Sequence, residues 1–273
     1  MPQTTSPPLS ALALIDEARY PIHQPDSAAY GSLVTACRKS LKDEGACLLP
    51  AFTTPQATAR MAQETTRVVG EAYLCRDTHT VYLNSGDPTA PEDHPLRRLE
   101  QTELFSVAYD QVAPSDGLYL LYNWDPFLRF LADVLERKAY YRMADPFAAL
   151  TVNVMKEGQN HGWHFDESEV TTTLMLQAPE QGGRFQYIHD LRTADEAEYQ
   201  GVSAALDGTH PAVRTLDVKP GTLLIFAGYY SLHRVTPVVG ATTRYLATFC
   251  FKDRPGVRNS PEVQKLFYGR TAL

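Results

Sequence analysis

Two histidines and an aspartate stand out because their side chains could share one metal ion. His164 and Asp166 are separated only by Phe165, and His233 lies well downstream, followed at a short interval by Arg244. Two imidazoles and one carboxylate suit iron(II), and holding it on one face leaves three coordination positions vacant. The same donors also suit zinc, so the set alone indicates a metal rather than a particular one. Arg244 adds a complementary capacity, because guanidinium binds a carboxylate through two parallel hydrogen bonds. A 2-oxo acid held through two positions on iron, with its far carboxylate on such an arginine, would leave the last position for O₂.

For these residues to meet, strands must carry them. At i and i+2 of an extended segment, His164 and Asp166 point to one side and Phe165 to the other, toward a core. From about Phe147 the chain shows short β-branched runs: Ala149 to Met155, Val170 to Gln177, Arg184 to Ile188, Ala212 to Val218, Thr222 to Phe226, His233 to Val238 and Arg244 to Phe251. Gly182-Gly183, Pro220-Gly221 and Gly240 punctuate them. Such spacing predicts a barrel or a two-sheet sandwich such as a jelly roll. His233 opens one run, and a barrel can bring its start opposite His164. Arg244 opens the next, and as an antiparallel neighbour it would lie deeper than the metal by about the length of 2-oxoglutarate. His189 to Pro211 reads as a polar insertion with a short helix.

The first half reads as mostly helical. A helix is expected from Ala28 to Asp43, ending at Gly45, then a short strand from Ala46 to Pro50. Thr54-Pro55 opens a second helix ending near Gly70, and Asp125-Pro126 opens another reaching about Arg137. Asn84 to Pro95 is polar and turn-rich, either a solvated loop or a lid over a site. The expected organisation is a disordered N-terminus over 1–10 and a single domain over 11–273, with a helical part over about 11–145 and a β core over about 146–253.

Composition narrows the partner class. A net charge of −7 on 273 residues argues against a nucleic-acid surface. Cys37, Cys47, Cys75 and Cys250 show no paired spacing and read as incidental thiols. No apolar run is long enough for a membrane span, and no secretory signal opens the chain, so a soluble cytoplasmic protein is expected. The partner expected is a small molecule, with the oligomeric state left open.

Six stretches resemble the iron(II)- and 2-oxoglutarate-dependent oxygenases, most closely the BesD/HalD amino-acid halogenase group and its hydroxylating relatives. They are Thr78 to Leu83, Asn153 to Gly158, His161 to Asp166, Thr173 to Pro179, Pro220 to Phe226 and Ser231 to Val238. The resemblance implies an all-β core with helices, a double-stranded β-helix of the jelly-roll or cupin-like kind with a helical N-terminal elaboration. It implies that His164, Asp166 and His233 bind iron(II), that Arg244 grips 2-oxoglutarate with Thr173 assisting, and that O₂ is consumed. In the group's halogenases a small residue such as Gly replaces the carboxylate, and chloride takes the vacated place. Asp166 fills that position here, so hydroxylation of an unactivated C–H bond is the expected outcome. Desaturation or oxidative ring closure by the same iron chemistry, and a non-redox cupin-like metal protein, are the competing expectations.

On the substrate side, His161 matches a position that lines the site in the halogenating relatives. Glu167 and Glu169 flank the metal pair and could hold an ammonium group, while Arg76 and Arg97 could pair with a substrate carboxylate. The relatives act on polar amino acids such as lysine, but the run Tyr245 to Phe251 is apolar, pointing to a smaller or more apolar amino acid. Trp163 is expected to pack, and His79, His94, His189 and His210 to be surface or structural.

Overall fold

The computed structural model describes residues 10–193 and 195–272, so the expected disordered segment over 1–10 lies, save for Ser10, outside the described residues. Helix α1 (Ala28–Glu44) begins where the Ser27 hydroxyl accepts from the Tyr30 amide, and ends at Gly45 in a left-handed conformation. Strand β1 (Ala46–Leu49) follows. Helix α2 (Pro55–Val68) is capped by Thr54, with Pro55 in its first turn, as the local chemistry predicts.

Strands β2 (Tyr73–His79) and β3 (Glu100–Val107) then pair antiparallel along their whole length. They correct the reading of this half as mostly helical. Their inward side is unusually polar: Thr102 and Ser106 are buried on β3 and His79 on β2. An apolar alternation, the usual sign of a half-buried strand, is therefore missing. The loop between them packs His94 against Tyr199, with ring centroids 4.6 Å apart.

Helices α3 (Gly117–Tyr122) and α4 (Asp125–Val134) complete the helical layer, α4 burying Phe127, Phe130, Leu131 and Val134. Strand β4 (Tyr141–Arg142) leads to the β core: β5 (Leu150–Met155), β6 (His161–His164), β7 (Thr171–Gln177), β8 (Gln181–Gly182) and β9 (Phe185–Ile188). The polar insertion carries helix α5 (Tyr199–Leu206), as expected. Then come β10 (Arg214–Leu216), β11 (Leu223–Phe226), β12 (Leu232–Val235), β13 (Val238–Val239), β14 (Arg244–Phe249), β15 (Phe251–Lys252) and helix α6 (Pro261–Tyr268).

The larger sheet has the order β1-β11-β7-β14-β5-β3-β2 and the smaller β10-β9-β12-β6. Strands β5, β6, β7, β9, β11, β12 and β14 alternate in chain order between the two, which is the winding of a double-stranded β-helix, while β10 extends the smaller sheet and β8 and β13 pair separately. The larger sheet is two-faced, as period-two alternation requires. Val152, Val154, Leu174, Leu176 and Ala247 pack with the helices in the main core. Thr151, Asn153, Thr173, Leu246 and Thr248 face the other way and line an internal cavity.

Candidate active site

Strands β6 and β12 are neighbours in the smaller sheet, and His164 pairs directly with His233 in their register. The two histidines are thus adjacent rather than opposite across the barrel. Asp166 sits on the exit of β6, with Oδ1 3.7 Å from His164 Nε2 and 3.5 Å from His233 Nε2. One ligand atom from each of the three lies within 4.8 Å of the others. The Nδ1 of His164 donates to the Gly162 carbonyl at 2.8 Å, and that of His233 to the Ser231 carbonyl at 3.0 Å. Each bond fixes the ring and leaves the Nε2 lone pair facing the gap.

Asp166 is held from two sides. The Thr171 hydroxyl donates to Oδ2 at 2.6 Å. Gly228 lies against the carboxylate, and a Cβ there would stand 2.0 Å from Oδ2. Burial raises the Asp166 pKa, but His233 and the Thr171 hydrogen bond outweigh it and leave it lowered. Burial and the neighbouring imidazoles hold His164 well below its ordinary value. An ionised carboxylate beside an uncharged His164 ring is the protonation state a metal requires.

Arg244 is 1% exposed, yet among the described residues no carboxylate pairs with it. Its Nε donates to the Gly183 carbonyl at 3.1 Å, and burial pushes its pKa down to about 10. An unpaired buried cation is costly, so the site fits an incoming anion. Thr173 Oγ1, on the same cavity, is buried without a hydrogen-bond partner. The expected placement of Arg244 needs correction. Strand β14 lies between β5 and β7 in the larger sheet, not beside β12. The chain changes sheets between His233 and Arg244, and both line one cavity from different walls.

That cavity measures about 270 Å³, just below the roughly 300–1,000 Å³ of small-molecule pockets. It holds His161, His164, Asp166, Glu167, Thr173, His233 and Arg244 together. His161 stacks on His164 at 3.9 Å between centroids, with its buried Nε2 unpartnered and its pKa lowered to about 3 by burial. Helix α6 closes one side with Val263, Leu266, Phe267 and Tyr268, while Leu83 is the wall residue bordering the loop. Asn84 to Pro95 contributes nothing to the lining, so the wall expected of a lid comes from α6 instead.

Three expected substrate contacts are not brought in. Arg76 makes a two-bond pair with Glu103, at 2.8 and 2.9 Å, on the exposed face of β2 and β3. Arg97 donates to the Ala90 carbonyl at 3.0 Å and pairs with Glu92 inside its own loop. Glu169 is paired by Arg137. Trp163 packs under the Arg234 guanidinium, and both His79 nitrogens are hydrogen-bonded, to the Thr80 carbonyl and the Thr102 hydroxyl. The sequence reading missed Thr171, Gly228, Ser168 and Lys252.

A family model described as halogenase D matches residues 30–264. No curated protein matches the chain. Solved structures share the fold at low identity. One is an oxidoreductase of the 2OG-Fe(II) oxygenase family from Burkholderia pseudomallei, 14% identical over 82% of this chain and 92% of that one, with a TM-score of 0.53. Another is the non-heme alpha ketoglutarate dependent epimerase SnoN from nogalamycin biosynthesis, 12% identical over 82% and 83%, with a TM-score of 0.56. A third is the carbocyclase SnoK from the same biosynthesis, 15% identical over 98% and 97%, with a TM-score of 0.55.

Proposed function

The chain belongs to the halogenase D family of iron(II)- and 2-oxoglutarate-dependent oxygenases, and from that premise we propose that it hydroxylates an unactivated C–H bond of a free amino acid. Membership sets aside the non-redox alternative. In this reading His164, Asp166 and His233 hold iron(II), while Arg244 and Thr173 take the far carboxylate of 2-oxoglutarate. The observation that carries the outcome is Asp166, whose Oδ1 stands beside both Nε2 atoms where a halide would otherwise sit. When bound, iron with 2-oxoglutarate and O₂ supplies the oxidant that turns C–H into C–OH, releasing succinate and CO₂.

The chain's own residues set the selectivity. Neutral His161 offers its unpartnered Nε2 to a substrate donor beside the metal ligands. Glu167 lines the cavity and suits an ammonium group. Met143, Val170, Phe251, Val263, Leu266 and Phe267 supply apolar wall that excludes water. Apart from Asp166, Glu167 is the acidic side chain on the lining, so the second ammonium of lysine has no counterpart there. This supports an aliphatic or aromatic amino acid. A single domain over 11–273 belongs to the same proposal, supported by one cavity that draws on Ser106 of β3 and Tyr268 of α6 alike. Four free cysteines support a cytoplasmic setting. Among the described residues no helix is long and apolar enough to cross a membrane.

Anaerobic reconstitution with iron(II) and 2-oxoglutarate, then O₂ and mass spectrometry of an amino-acid panel, tests this. One added oxygen on an apolar amino acid, with matching succinate, is the expected result. Loss of two hydrogens would replace hydroxylation with desaturation or ring closure. Turnover by no amino acid would overturn the substrate class.

A further inference from the structure

The segments Asp166 to Glu169 and Lys252-Asp253 meet at the cavity rim, and their charges sort into two groups. Arg137 pairs with Glu169 and reaches Asp253 Oδ1 at 3.8 Å. Glu167 and Lys252 have no ion pair among the described residues, with each other or with a third group, and both line the cavity. Lys252 is half-buried, and its Nζ donates at 2.7 Å to the Oγ of Ser168, the residue that follows Glu167 in the chain and lines the same cavity.

Arg244 opens β14 in the larger sheet, whereas Lys252 closes β15, which pairs with β4 in a separate two-stranded sheet beyond the break at Cys250. Two cations that line one cavity from different sheets, neither with an ion pair among the described residues, suit two separate anions. Arg244 is the deeper, at 1% exposure, and already accounts for the cosubstrate.

We propose that Lys252, positioned by Ser168, is the anchor for the carboxylate of the primary substrate, a role that rests on the oxygenase reading above. With Glu167 on the same rim it forms a receptor for a zwitterion, the charge pattern of an α-amino acid. The substrate thus enters carboxylate to Lys252 and ammonium to Glu167, its side chain lying against the apolar wall toward the metal ligands.

Calorimetric titration of the anaerobic enzyme loaded with iron(II) and saturating 2-oxoglutarate tests this. The probes are apolar amino acids such as leucine, butyrate as a carboxylate without an amine, and the matching carboxamides. Wild-type protein should bind each carboxylate at least about tenfold tighter than its amide. Lys252→Gln should abolish that ratio, Lys252→Arg should keep most of it, and 2-oxoglutarate affinity should move with neither. A preserved ratio in Lys252→Gln, or no preference for the carboxylate in wild type, overturns the anchor. If butyrate obeys the rule while amino acids do not bind, Lys252 stands and the amino-acid reading falls. If no probe binds, both fall.

Discussion

His164 and His233 occupy directly paired positions on antiparallel β6 and β12, with ring centroids 4.1 Å apart. The spacing of the two imidazoles is therefore a property of strand register. A slip of one residue in either strand would turn its histidine to the opposite face. Each ring is then fixed by a carbonyl two residues earlier on its own chain, so register and local backbone together aim both Nε2 atoms at Asp166 Oδ1.

The Asp166 carboxylate is positioned by two neighbours, Thr171 and Gly228. Thr171→Val removes the hydroxyl bonded to Oδ2, and Gly228→Ala puts a methyl group where the carboxylate lies. Each should weaken iron(II) binding by about 10–100-fold, the usual cost of losing a ligand's support. Metal titration by calorimetry, alongside a melting curve to confirm folding, reads this directly. Unchanged affinity in both variants would show that Asp166 is not a ligand.

Asp166→Gly removes the carboxylate outright. Hydroxylated product should fall by more than the about 10–100-fold assigned to supporting residues. Wild-type enzyme assayed in chloride should give no chlorinated product by mass spectrometry. A chlorinated product from the wild type would sink the assignment of Asp166 as the residue that excludes halide.

Arg244→Lys keeps a positive charge but loses the planar fork. With hydrogen bonds to charged groups worth about 1.5–3 kcal/mol, the KM for 2-oxoglutarate should rise about 10–100-fold. Burial lowers the Arg244 pKa only to about 10, so its charge persists through neutral pH. The KM of the wild type should accordingly stay flat with pH on the neutral side of that value. An unaltered KM in Arg244→Lys would move the cosubstrate site elsewhere.

Asp145 secures the wall that α6 presents to the cavity. Its oxygens accept from the Phe147, Ala148 and Asn259 amides and from the Gln264 side chain. Burial raises its pKa, but these bonds, led by Gln264, outweigh it and leave the pKa lowered. A carboxyl depressed in the folded state adds stability above its unfolded pKa of about 3.9, and that stability is lost as pH falls through the folded value. Asp145→Asn should therefore cost about 1.5–3 kcal/mol at neutral pH. The gap from wild type should close below about pH 3.9, and the substrate KM should rise as α6 loosens. Thermal melts across pH check this; a gap that stays constant into acid would refute it.

What could be read from the chain alone was whatever local chemistry dictates. The Thr54-Pro55 cap, the stop at Gly45, the short β-branched runs and the His164-Phe165-Asp166 unit follow from nearest-neighbour rules, and each appears in the fold. Strands β2 and β3 were illegible because their inward residues, His79, Thr102 and Ser106, are polar and satisfied by other segments or turned to the cavity. Nothing near Arg76 in sequence announces Glu103 as its partner, and nothing near Asp166 announces Gly228 as the surface that makes room for it. Only the tertiary structure decided that Arg244 faces the histidines from the other sheet and that Lys252 lines the same cavity. Those relations come from sheet membership and register between distant segments, and backbone propensity within a segment carries no information about either.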